Sequence, residues 1–198
     1  MAARIRLATA ADATQVLAIY APFCRDTPVT FEIEPPSEEE MTRRIVTTLA
    51  RWPWLVVEDH GEVVGYSYAN RFHERPAYRW SVEVTVYVQA GYRREGVGRG
   101  LYTSLLGLCT LQGYVNAFAS ITLPNQASVA LHQSLDFRAV GINRHVGYKC
   151  GAWHDVGVWQ QMLQAPEEDP AEPRTMADAQ QLQTWDGALE DGLRFIRL

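Results

Sequence analysis

Glu83 is the one acid in an alternating run, Ser81–Val88 (SVEVTVYV). In an extended strand Val82, Val84, Val86 and Val88 share one side, while Glu83, Thr85 and Tyr87 share the other. Next comes Arg93-Arg94-Glu95-Gly96-Val97-Gly98-Arg99-Gly100, a small and basic stretch that opens into the helical spacing Leu101, Leu105, Leu108. A strand, a glycine-rich cationic loop and a helix start together present unpaired backbone N–H groups to an anion. This leaves a carboxylate, Glu83, on the strand beside that site, able to accept a proton. His132 follows Asn125 by two helical turns, on nearly the same face, and Asn125 is a good N-cap. Just before the strand, Phe72-His73-Glu74-Arg75-Pro76-Ala77-Tyr78 offers a guanidinium able to grip a carboxylate through two parallel hydrogen bonds.

These groups need a scaffold, and the chain spells one out. Residues 4–7 alternate as a first strand. Thr9 caps a helix carrying Val16, Leu17, Ile19 and Tyr20, and residues 29–33 read as a short strand stopped by Pro35-Pro36. Ser37-Glu38-Glu39-Glu40 forms a capping box for a second helix through Met41, Ile45 and Leu49. Residues 54–58 and 63–68 make a hairpin around Asp59-His60-Gly61-Glu62. After the helix ending near Gln112-Gly113 come a strand at 117–123, a helix from Asn125, and strands at 137–148 and 156–163. This order predicts an α/β (α+β) domain whose mixed, mostly antiparallel sheet is flanked by helices. It occupies residues 1–163. Residues 164–198 open with an acidic, proline-rich linker, after which Leu182, Trp185, Leu189 and Ile196 can form one helical stripe. Two readings of that tail stay open: a loosely held extension, or a helix docked on its own domain or on a partner.

Composition narrows the function classes. A net charge of −5 argues against nonspecific nucleic-acid binding, so the arginines at 93, 94 and 99 read as a local site. Three scattered cysteines without a C-x-x-C fit a reducing cytoplasm. No run reaches transmembrane length, and neither a membrane nor a nucleic-acid partner is expected. His60, His145 and His154 lack ligand spacing, so no metal is expected.

Arg93-x-x-Gly96-x-Gly98 resembles the acyl-CoA signature of the GNAT N-acetyltransferases. Leu123-Pro124-Asn125-Gln126-Ala127-Ser128-Val129-Ala130-Leu131-His132 is similar to that family's second signature. Trp153-His154-Asp155-Val156-Gly157-Val158-Trp159-Gln160 and Val82-Glu83-x-Thr85-Val86-Tyr87-Val88 resemble the branch containing phosphinothricin and other amino-acid N-acetyltransferases. The resemblance runs from about residue 4 to 163 and leaves the tail outside it.

The resemblance implies the GNAT fold and acetyl-CoA as co-substrate. Its diphosphate would rest on Arg93, Arg94, Gly96, Val97, Gly98 and Arg99. Its pantetheine arm would run along the strand edge at Val86 and Val88, with Asn125 and Ser128 beside it. Glu83 becomes a water-assisted base. His132 stands where many members carry a thiol-protonating Tyr. Phe31, Arg75, Tyr78, Thr85 and Tyr87 become acceptor contacts, with His73 where the branch has Lys and Asp136 where it has Gly. The acceptor implied is a small amino-acid-like amine, such as phosphinothricin or methionine sulfone or sulfoximine, and the assembly implied is a homodimer. Another amine (an aminoglycoside, a polyamine, a protein N-terminus) and a non-catalytic acyl-CoA-binding regulator stand as alternatives.

Overall fold

The structure, a computed structural model, describes residues 3–198. Its strands are β1 Arg4–Leu7, β2 Trp54–Asp59, β3 Glu62–Arg71, β4 Ser81–Val88, β5 Asn116–Leu123, β6 Arg138–Lys149 and β7 Ala152–Met162. They form one sheet in the order β1-β2-β3-β4-β5-β7-β6. Every neighbouring pair is antiparallel except β4 and β5. The expected mixed, mostly antiparallel sheet is thus present.

The alternation in β4 decides which face each residue serves. Val82 and Val84 are buried on the side covered by the helix that comes next after β4 and is preceded in the chain by two others. Those are α1 Ala13–Asp26 and α2 Glu38–Leu49; α3 is Val97–Gln112. The spacing Val97, Leu101, Leu105, Leu108 lays one buried stripe of α3 on the sheet. The opposite face is covered by α1 and α2 through Val16, Ile19, Met41 and Ile45, which pack on Trp54, Val56 and Tyr66.

Ser37 caps α2 by accepting from the Glu40 amide at 3.1 Å. The reciprocal half of the expected box is not made, because the Glu40 carboxylate is taken by Arg43 and Arg44. Those two guanidinium groups hold it well below the usual carboxylate range, at about 2. The short strand expected at 29–33 does not form either; the chain bends there on its way from α1 to α2. Its carbonyls turn inward to a cation instead of outward to a strand. Lys149, only 6% exposed at the end of β6, donates from Nζ to the carbonyl oxygens of Phe23 (3.3 Å), Thr30 (2.7 Å) and Glu32 (2.8 Å).

Helix α4, Gln126–Gln133, begins at Asn125, whose Oδ1 accepts from the Ser128 amide at 3.1 Å. It stops at a turn in which Asp136 takes φ +63°, the left-handed conformation that glycine occupies more cheaply. The helix is therefore closed normally despite the side chain. Beyond the sheet, α5 Met176–Ala179, α6 Trp185–Glu190 and a 3-10 turn Asp191–Phe195 lie against α3. Met176, Ala179 and Trp185 are buried, so the tail docks on its own domain. Among the described residues no helix is long and apolar enough to cross a membrane.

Replacing Lys149 by Met leaves those carbonyls without a cation, and should cost about 2–3 kcal/mol of unfolding free energy in urea titration. Asp136→Gly should act in the other direction, raising the urea midpoint by the equivalent of about 0.5–1 kcal/mol.

Candidate active site

The site begins where two strands part. β4 and β5 pair only through Ser81 with Asn116, Val82 with Ala117 and Glu83 with Phe118. Beyond Glu83, β5 continues fully paired with β7, and β4 continues paired with β3. A cleft opens between them, bordered by Val84, Thr85, Val86 and Tyr87 on one side and Ser120, Ile121 and Thr122 on the other. Asn125, Ser128 and His132 of α4 close its end.

At the far end of β4 the chain enters the glycine-rich loop. Arg94 (φ +69°) and Gly96 (φ +80°) both take left-handed conformations, which turns the backbone into α3. The first helical bond runs from the Gly100 amide to the Gly96 carbonyl at 2.8 Å. No side chain caps this end of α3, and among the described residues the amides of Val97, Gly98 and Arg99 have no backbone partner. A Cβ on Gly98 would meet Leu131 at 3.3 Å and Val88 at 3.6 Å, so this part of the loop borders the space between β4 and α4. Arg93, Arg94 and Arg99 are exposed. Arg93 reaches over Phe23 (5.9 Å) and Arg99 stacks on Phe195 (4.3 Å). These features fit a diphosphate: bare amides, no acid capping the helix, and cations nearby.

Glu83 is half-buried, and its Oε1 accepts from the Ser120 hydroxyl at 2.8 Å across the parting strands. Along its own strand Ser81 precedes it and Thr85 follows on the same face; across the ladder stands Asn70. Ser120 and Thr85 border the cleft, Asn70 borders a hollow of about 350 Å³ under α2, and Ser81 borders a third of about 420 Å³. Neighbours of the acid thus border three openings, although Glu83 itself lines none of them.

The third hollow holds Arg75, Tyr78 and His73, with Arg51, Arg71 and Arg79. Arg71 is paired with Glu74, and Arg79 with Glu172 from the linker. Arg75 has no carboxylate partner among the described residues. Of the expected acceptor contacts, Arg75 and Tyr78 share this hollow, while Thr85 and Tyr87 line the strand cleft. The Tyr87 ring is enclosed by Tyr20 (5.1 Å), Phe23 (5.0 Å) and Tyr66 (5.4 Å). Phe31 stands apart from Arg75, packed at Gly147 and tilted toward His154 (6.5 Å) on the β6–β7 hairpin.

His132 is only 3% exposed. Its Nδ1 lies 2.7 Å from the Ser128 carbonyl oxygen and its Nε2 3.1 Å from the Tyr102 hydroxyl. Since a carbonyl only accepts, Nδ1 carries the proton and Nε2 accepts from Tyr102. Burial lowers the His132 pKa, against the smaller opposing effect of the Ser128 carbonyl. Burial also raises that of Tyr102, aided by the nearby Tyr68 and Glu83. A neutral imidazole therefore holds a protonated phenol at the cleft. Tyr102 escaped the sequence reading because it lies one residue off the leucine stripe of α3, where only the fold reveals what it faces.

An acetyltransferase (GNAT) domain model matches residues 5–158. The chain is 42% identical over 178 residues to the phosphinothricin N-acetyltransferase of Streptomyces viridochromogenes, covering 90% of this chain and 95% of that protein. It is 34% identical to the L-methionine sulfoximine/L-methionine sulfone acetyltransferase of Pseudomonas aeruginosa, covering 86% of this chain and all of that protein. A crystal structure of a GNAT superfamily phosphinothricin acetyltransferase from Sinorhizobium meliloti, in complex with AcCoA, superposes with a TM-score of 0.81 at 34% identity, covering 89% and 99% of the two chains. With a matching domain over most of its length, a sheet of the same build and a cleft where its central strands part, the chain belongs to the GNAT family of acetyltransferases.

Proposed function

We propose that this protein transfers the acetyl group of acetyl-CoA to the amine of a small amino-acid-like acceptor, of the phosphinothricin or methionine sulfone/sulfoximine type. The observation that carries the reading is Glu83 at the mouth of the strand cleft, held by Ser120 and flanked by the hollow containing Arg75. Acetyl-CoA supplies an acetyl group already activated as a thioester. The loop residues Arg93, Arg94, Gly96, Val97, Gly98 and Arg99 hold its diphosphate on amides and cations. The open edge of β4 at Val86 and Val88, with Asn125 and Ser128 opposite, takes its arm.

Arg75 receives the acceptor's carboxylate. Ser81 and Glu83 are about 6.5 Å apart along the strand, so a guanidinium in that hollow and a base on Glu83 can serve one small molecule. Glu83, directly or through a water, takes the ammonium proton so that a neutral amine attacks. As CoA leaves as a thiolate, Tyr102, kept protonated by burial, turns its O–H from His132 Nε2 to the departing sulfur, and the second proton shed by the attacking nitrogen ends on that sulfur. We assign the protein to the reducing cytoplasm, supported by its three free cysteines, two of them buried. We also propose a homodimer joined through the β6–β7 hairpin. Val140, Ile142, Val146, Tyr148 and Trp153 are there 53–60% exposed, which leaves an apolar band uncovered on a single chain.

Glu83→Gln should lower kcat by about 10²-fold or more with little change in acetyl-CoA affinity. The deficit should shrink as pH approaches the acceptor amine's own pKa; an equal deficit at every pH would remove the base assignment. Arg75→Ala should raise KM about tenfold for carboxylate-bearing amines, and much less for amines lacking one. His132 also leaves a mark on stability. Below its ordinary pKa of 6.5 the unfolded chain binds a proton there that the folded chain refuses, so stability falls with pH. Between about pH 7.5 and 5.5 the wild type should lose more unfolding free energy than His132→Gln does, by denaturant titration at each pH.

A further inference from the structure

The tail sits on the back of the loop read above as the diphosphate site. Gly96, Gly100, Ser104 and Gly107 are spaced to share one face of α3. That face is where the C-terminal segment lies. A Cβ on Gly96 would come within 1.8 Å of the Phe195 carbonyl oxygen, and one on Gly192 within 2.0 Å of the Gly100 carbonyl oxygen. A Cβ on Gly100 would reach Ile196 Cγ1 at 2.8 Å. Backbone therefore meets backbone at both crossings, which no side chain larger than hydrogen permits.

Two hydrogen bonds bind the segments together. The Gly192 amide donates to Ser104 Oγ at 3.1 Å, and the Arg197 amide donates to the Glu95 carbonyl at 2.9 Å. The second bond reaches into the loop itself, between left-handed Arg94 and left-handed Gly96. Arg99 lies over the Phe195 ring at 4.3 Å, so the tail also directs one of the loop's cations. Gly98, by contrast, faces Val88 and Leu131 on the cleft side. The tail thus grips the loop from behind and leaves its amides uncovered.

A loop that binds an anion through backbone N–H groups works only while those groups converge, and holding them convergent in advance spares the ligand that ordering cost. We propose that the C-terminal segment, with Gly192, Phe195 and Arg197 as its contacts, is a positioning element of the acetyl-CoA site. It sets the shape of residues 93–98 and the direction of Arg99. The inference rests on the reading of that loop given under the proposed function.

The experiment is calorimetric titration of CoA into the full-length wild type, Gly192→Ala, Phe195→Ala and Phe195→Tyr, together with steady-state kinetics in both substrates. Displacing the tail with Gly192→Ala, or removing the ring under Arg99 with Phe195→Ala, should weaken CoA by about tenfold, the scale of one lost hydrogen bond to a charged group. The KM for the acceptor, and kcat at saturating acetyl-CoA, should stay within about twofold. Phe195→Tyr keeps the stacking face and should retain wild-type affinity. Unchanged CoA affinity in both Gly192→Ala and Phe195→Ala overturns the inference, as does a loss shared equally by CoA binding, acceptor KM and kcat. Should Gly192→Ala fail to fold, the Phe195 pair decides alone. A wild type that binds no CoA removes the reading of the loop itself, and this inference with it.

Discussion

The parting of β4 from β5 is the constraint on which the rest depends. A parallel pair is held only by its ladder, and here the ladder ends after Glu83 because each strand is better engaged on its other side. β5 is paired along its whole length with β7 and follows its twist. β4 follows β3. The hydroxyl of Tyr102, 3.4 Å from the Val84 carbonyl oxygen, stands in the gap where the next strand bond would otherwise be made. The result is a sheet with an unpaired inner edge, a place for an extended amide-bearing arm to add its own hydrogen bonds. Glu83 marks the last paired position, so the acid stands where the two strands begin to part.

Two other arrangements make the cleft specific. Lys149 gathers three carbonyls of the α1–α2 connection and so holds that segment against the β6–β7 hairpin, with Phe31 packed on Gly147. A single buried ammonium, satisfied by main-chain oxygens, replaces a strand ladder as the means of ordering a loop. The Arg-lined hollow takes its character from incomplete pairing: Glu74 and Glu172 neutralise Arg71 and Arg79, while Arg75 has no carboxylate partner among the described residues. His132 and Tyr102 form a buried pair at the cleft, in which burial keeps the imidazole neutral and the phenol protonated.

Much of this was legible along the chain because it is periodic. The two-residue alternation of SVEVTVYV assigns the valines to the core and Glu83 to the other face without any tertiary information. The stripe Leu101, Leu105, Leu108 and the glycines before it announce a helix with an open start, and Asn125 announces the next. The expected strand at 29–33 failed for a reason of the same kind. Its residues have strand propensity, but strand propensity counts only when a neighbouring edge is in reach, and Lys149 took the carbonyls instead.

The residue types and their spacing therefore determined the elements, the loop that can hold an anion, and the side of the sheet on which the acid stands. Tertiary structure alone decided the rest: that Tyr102 meets His132, that Phe31 packs on Gly147 away from the hollow of Arg75, that Lys149 orders a loop distant in sequence, and that the tail docks on α3. Helical and strand periodicity follow from bonds between near neighbours in the chain, so they are written locally. Meetings between residues far apart depend on how faces close over one another, and no local spacing carries that.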